Sequence, residues 1–115
     1  MRELVKVFKA LANENRLRIL KMLEGRQMCV CEIKEVLGVS QPSVSRHLKE
    51  LRDASLVEEI SEGIWVNYQL PETLQSEYAG LIIKHLKEWV NQDEEIVKDK
   101  GKARRVNRKE ICAVR

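Results

Sequence analysis

Between Leu37 and Pro42 the chain ends one helix and begins another within five residues, and that junction restricts the fold more than any other stretch. Val30, Ile33 and Leu37 recur at i, i+3 and i+7, so residues 29–37 are expected to form a helix with these side chains facing a core. Gly38 is a natural left-handed stop. Ser40 offers an N-cap oxygen, and Pro42 in the first turn of the next helix forfeits no hydrogen bond. That helix would bury Val44, Leu48 and Leu51. Two short helices joined by a Gly-containing turn, the second opening with small polar residues, form the helix-turn-helix pattern.

The flanking segments extend the pattern. Leu4, Val7, Phe8 and Leu11 give a short amphipathic helix over residues 3–12, and Asn13 is a cap for a second carrying Leu17, Leu20 and Leu23, with Gly25 ending it. From Leu56 the period changes. Leu56–Ile60 and Ile64–Leu70 are β-rich runs separated by Ser61-Glu62-Gly63, a hairpin signal, and a hairpin after a helix-turn-helix is a wing. Pro71 ends the second strand. A long helix is expected over residues 73–97 with Leu74, Tyr78, Leu81, Ile82, Leu86, Trp89 and Val90 as its apolar row. That stripe is wide for a small domain, so packing against a second copy is expected, the alternative being closure of the monomer core. The fold class is mainly α with a β-hairpin wing (α+β), a winged helix-turn-helix in the order ααααββα. Residues 1–98 would be the DNA-binding and dimerisation domain, and 99–115 a basic, flexible tail.

Charge is segregated along the chain. Residues 1–54 hold 11 Lys/Arg against 7 Asp/Glu, residues 55–99 hold 3 against 10, and residues 100–115 hold 7 against 1. A basic front and tail around an acidic middle suit a polyanion met by part of the surface, while a solvated tail would have the same composition. No apolar run approaches the length of a membrane span and no signal peptide precedes the first helix, so a cytoplasmic protein without a membrane partner is expected.

Three cysteines, arranged as Cys29-Val30-Cys31 and a distant Cys112, do not resemble a secreted disulfide framework. In an extended segment the side chains at i and i+2 point the same way with Cα atoms about 6.6 Å apart, so both sulfurs could reach one ion. In a regular helix they diverge by roughly 200°. A ligand that needs both sulfurs on one side would therefore deform the start of this helix. Thiolates select soft ions, and a helix N-terminus is expected to lower both thiol pKa values. Two buried small apolar residues are the structural alternative. A disulfide or persulfide switch of Cys29 or Cys31 with Cys112 would use the same residues.

On the second helix of the pair, Gln41, Ser43, Ser45, Arg46, His47 and Lys49 face outward. Gln suits adenine, Arg suits guanine or phosphate, and Ser suits either, all near the end that enters a major groove. A polar face exposed to water is the alternative. The cap, the preceding helix and the hairpin in that order favour double-stranded DNA.

Residues 13–20 (Asn-Glu-Asn-Arg-Leu-Arg-Ile-Leu), 28–33 (Met-Cys-Val-Cys-Glu-Ile) and 40–48 (Ser-Gln-Pro-Ser-Val-Ser-Arg-His-Leu) together resemble the arsenical-resistance repressor family of winged-helix metal sensors, over roughly residues 3–90. The resemblance implies a homodimer through the first and last helices that leaves its operator when an inducer binds. It implies thiolate ligation of As(III), or of Sb(III) or Cd(II), by Cys29 and Cys31. Three departures matter. Lys34 stands where the familiar arsenic box has a third cysteine, so three-thiolate coordination needs Cys112, from the same or the other protomer, or a small-molecule thiol. Glu62-Gly63-Ile64 replaces a basic wing tip. His85 is alone on the last helix, which rules out the paired Asp/His site of zinc sensors. Two other classes remain for comparison: a thiol oxidoreductase, which would want Cys-x-x-Cys beside a strand-helix-strand unit, and a winged helix that binds protein instead of DNA.

Overall fold

The computed structural model describes residues 1–72 and 76–106. The elements are α1 (Arg2–Leu11), α2 (Glu14–Met22), β1 (Met28–Cys29), α3 (Val30–Leu37), α4 (Gln41–Asp53), β2 (Glu58–Glu62), β3 (Trp65–Gln69), α5 (Glu77–Leu86) and α6 (Glu94–Arg105). This is a winged helix-turn-helix with two elements more than the expected order, β1 and α6.

The start and stop signals act as read. The Asn13 side chain accepts the Arg16 N–H at 3.0 Å and caps α2. Gly38 adopts φ +73, and its N–H donates to Lys34 O at 2.8 Å, closing α3. Ser40 Oγ accepts the Ser43 N–H at the head of α4. Ile19 and Leu20 of α2 with its C-cap Leu23, Ile33 and Val36 of α3, Val44, Leu48 and Leu51 of α4, and Leu56 between α4 and β2 form the buried centre. Burial of such side chains removes them from water at about 1.5–3 kcal/mol each, which sets the mutual position of α3 and α4.

The sheet is antiparallel in the order β1-β3-β2. Glu62 pairs with Trp65, leaving a two-residue turn in which only Gly63 has positive φ, the pattern of a type II′ hairpin. The added strand is a correction: the third helix does not begin at Cys29. Met28 pairs with Tyr68 and Cys29 with Asn67, so Cys29 is extended (φ −90°, ψ 169°) and serves as N-cap of a helix that begins at Val30. A two-residue strand made by a partner 38 residues away has no periodicity of its own to reveal it. Val30 is half-buried and packs against the core.

The single helix expected over residues 73–97 is two helices with a corner between them. After Leu86 the backbone tightens: Trp89 N–H donates to Leu86 O at 3.1 Å, and Val90 turns to φ +51. In a continuing helix the Leu86 carbonyl would accept from residue 90. Here it accepts from the fully buried Lys21 ammonium at 2.7 Å, which also donates to Asn91 Oδ1 at 2.8 Å. Asp93 then caps α6, accepting the N–H groups of Glu95 and Ile96. The buried face of α5 is Ala79, Ile83 and Leu86; Leu81, Trp89 and Val90 of the expected row are exposed, and Leu74 lies outside the described residues.

The basic segment from residue 99, whose sequence predicts a flexible tail, is helix in its first part. α6 runs to Arg105, buries Ile96, Asp99 and Ala103, and packs on α2 and α3. The boundary after residue 98 therefore falls inside a helix. Arg18 grips Asp99 with two bonds, Nε to Oδ2 at 2.7 Å and Nη2 to Oδ1 at 2.9 Å, and reaches Glu95 at 3.0 Å.

Candidate nucleic-acid interface and thiol site

The six polar residues expected on the outward face of α4 differ in exposure. Gln41, Ser45, Arg46 and Lys49 are exposed, and Ser43 and His47 are half-buried at its edge. Ser43 Oγ takes bonds from Ser40 Oγ at 3.1 Å and from Arg46 Nη2 at 3.2 Å, which ties the head of the helix to its second turn. Lys49 bridges to Asp53 one turn on, an exposed pair that leaves its charge available to a phosphate. His47 faces Arg16 of α2, whose Nη1 is 3.4 Å from Nδ1. Burial, with the charges of Arg16 and Arg46, holds its imidazole below the ordinary value.

The wing is acidic, and most of its acids are engaged within it. Glu59 receives Arg52 of α4 and the Tyr68 hydroxyl at 3.0 Å; burial and Glu59 push the Tyr68 phenol up. Glu58 accepts from Gln69 at 2.6 Å. At the tip Ile64 is 90% exposed. The wing thus has an apolar point where a basic one would favour a minor groove.

The two cysteines sit on different elements. Cys29, buried, belongs to β1 and caps α3; Cys31, half-buried, lies in the first turn of α3. The Glu32 carboxylate accepts the Cys29 N–H at 3.0 Å, while the thiol takes the place of a serine hydroxyl at the Glu32 N–H, closing a capping box. The expected lowering of the Cys29 pKa does not occur. Burial pushes it up, the bond from the Glu32 backbone opposes that only in part, and the Glu32 charge adds to the rise. Lys34, one turn beyond Cys31, is exposed. Cys112 lies outside the described residues, and among the described residues no three His, Cys, Asp or Glu side chains cluster as a metal site. His85 stacks on Trp89 with ring centroids 5.8 Å apart.

Sequence reasoning missed three residues that hold this region. Glu32 was detectable, because a cap residue followed three positions later by Glu is the capping-box signature. Arg16 and Asn67 had no local signal. Arg16 works across α1 and α4, and Asn67, buried on β3, donates to Gln27 Oε1 at 3.1 Å and Glu62 Oε2 at 3.2 Å.

A polar, partly basic helix presented by a helix-turn-helix, with a hairpin beside it, defines the winged-helix class of DNA-binding regulators. Residues 13–59 match the family described as bacterial regulatory protein, arsR family. The chain is 40% identical over 92 residues to the arsenic resistance transcriptional regulator ArsR1 of Pseudomonas putida, covering 76% of this chain and 71% of that one. It is 39% identical to the arsenical resistance operon repressor of Escherichia coli, covering 68% of each chain. Among solved structures, reduced HlyU from Vibrio cholerae matches with TM-score 0.65 at 35% identity, over 79% of this chain and 92% of that one. The chain belongs to the arsR family and is a winged-helix transcriptional repressor, not an enzyme. No helix of the described residues is long and apolar enough to cross a membrane.

Proposed function

We propose that this protein is a cytoplasmic, homodimeric repressor that binds a palindromic operator and leaves it when arsenite engages Cys29 and Cys31. Antimonite and cadmium are the next candidates. The observation that carries the reading is the placement of the two thiols on either side of the β1–α3 junction. Cys29 is held in the sheet that forms the wing, and Cys31 lies in the first turn of the helix that packs on α4. Drawing both sulfurs to one side therefore unwinds the first turn of α3 and moves the support of the reading helix. An allosteric coupling of about 1–3 kcal/mol would change operator affinity roughly 5- to 150-fold. The donor set fits a soft, thiophilic ion, with Cys112 as the third thiolate.

Gln41, Ser43, Ser45, Arg46, His47 and Lys49 would face the major groove, with the two reading helices of a dimer about 34 Å apart. The exposed Val5 and Phe8 of α1 and Leu81 of α5, on helices that pack together, supply an apolar face for the second copy.

Titrating the operator-bound protein with arsenite, antimonite, cadmium, zinc and an oxidant, and following release, separates the inducers. The Cys29→Ser/Cys31→Ser variant should keep operator binding and lose release; release of that variant by arsenite would sink the site. Release by oxidant alone supports the second reading, a thiol-redox repressor, which the similarity to a regulator solved in a reduced state favours. Loss of duplex binding when Gln41, Ser43 and Arg46 become Ala separates DNA reading from a purely protein-binding winged helix.

A further inference from the structure

Arg16 has all three guanidinium nitrogens engaged, and the arrangement has a chemical consequence for α4. Its Nε donates to Ala10 O at 2.7 Å and its Nη2 to Lys9 O at 3.0 Å. Both carbonyls belong to the last turn of α1, where helix geometry leaves acceptors unpaired and the dipole favours a cation. The guanidinium is thus anchored to backbone by two bonds, and its third nitrogen, Nη1, lies 3.4 Å from His47 Nδ1. Arginine offers donors only and stays protonated, so the histidine nitrogen facing it must present a lone pair. A neutral imidazole has one donor and one acceptor, which places the His47 proton on Nε2.

We propose that Arg16 is a positioning residue for DNA recognition, locking His47 as the neutral Nε2–H tautomer so that α4 presents a hydrogen-bond donor at this position and takes an acceptor on the duplex. The inference rests on the reading of α4 as the DNA-facing helix and deepens it. Purine N7, guanine O6, thymine O4 and phosphate oxygens all qualify, whereas the cytosine amino group does not. The charged groups that face the ring are Arg16 from α2 and Arg46 from α4 itself, both cationic, so both oppose a second proton.

The test begins on the free protein, by nitrogen-15 NMR of its two histidines, with His85→Gln assigning the signals. In the unaltered chain, His47 should show an unprotonated Nδ1 and a protonated Nε2, and should titrate below the ordinary imidazole value. Arg16→Met should give a tautomer mixture and a higher titration point; Arg16→Lys should restore part of the effect. A His47 proton on Nδ1, or signals unmoved by Arg16→Met, overturns the proposal, and the spectrum of the unaltered chain decides the tautomer even where a variant folds poorly. The second arm uses a duplex selected from a random library with this protein. His47→Leu should bind about 3- to 10-fold more weakly, the effect of one lost hydrogen bond, while His47→Gln, which keeps an N–H near the Nε2 position, should bind like the unaltered chain. Loss of the His47 dependence at one 7-deazapurine identifies a base acceptor, and loss at one methylphosphonate identifies a phosphate. Equal binding by the Leu and Gln variants overturns the proposed donor. Failure of the unaltered chain to select any duplex overturns the DNA-reading function, whatever the tautomer.

Discussion

Cys29 stands opposite Asn67 in the β1–β3 pairing, so the first thiol of the Cys-x-Cys pair is fixed by the sheet of the wing. Asn67 is buried, and its amide joins Gln27, two residues before Cys29, to Glu62 near the wing tip. Asn67→Ala removes a donor from two acceptors and should lower stability by about 1–3 kcal/mol, read from the urea unfolding midpoint. It should also reduce inducer-driven release more than operator affinity, because it loosens the link between β1 and the wing. An unchanged midpoint would show that water replaces the amide at no cost.

Burial raises the Cys29 pKa, and the sign of the resulting pH effect follows from linkage. Between the ordinary thiol value, about 9.0, and the higher folded value, the native state holds more protons than the unfolded one. Stability from this group is therefore full below the ordinary value and is lost as pH rises through that window. Unfolding midpoints measured at pH steps from about 7 upward should fall in the unaltered chain and fall less in Cys29→Ala. Ion binding should release a proton from Cys29 at neutral pH, so inducer affinity should increase with pH.

The Arg18–Asp99 pair should be a large single contribution to holding α6 in place. The Asp99 side chain is 2% exposed and Arg18 14%, so removing one partner leaves a buried charge without compensation. Arg18→Met should cost about 3–5 kcal/mol, and Arg18→Met combined with Asp99→Leu distinctly less. A double-mutant cycle on urea unfolding measures the coupling; additive effects would place the cost elsewhere, for example in the Arg18 contact with Glu95.

Ser40 holds the head of α4 through the Ser43 N–H and hydroxyl. Ser40→Ala should cost about 1 kcal/mol of stability. It should weaken duplex binding by more than that loss implies, because Ser43 and Gln41 lie in the turn that frays. Amide exchange at residues 41–44 with and without the cap checks the cause.

Much of the architecture was readable because it depends on local chemistry. Gly38, Ser40 and Pro42 act within a few residues of themselves, and the rows Val30–Ile33–Leu37 and Val44–Leu48–Leu51 repeat at the helical period. The Gly63 turn is equally local. The α5–α6 corner was not read, although Asp93 followed by Glu94 and Glu95 is a helix start, because the apolar row through Leu86, Trp89 and Val90 suggested continuity. The Lys21 ammonium that takes the Leu86 carbonyl comes from 65 residues earlier, and no local pattern announces it.

The thiol pair divides the same way. The residue types and spacing by themselves pointed to the thiol pair and to the helix-turn-helix beside it, since thiol chemistry and helix punctuation are properties of the residues themselves. Tertiary structure alone decided that Cys29 is a strand residue and Cys31 a helix residue, because the pairing of Cys29 with Asn67 is made by a distant segment. It also decided that the Cys29 pKa is raised and not lowered, because burial depends on what the rest of the chain packs over the thiol.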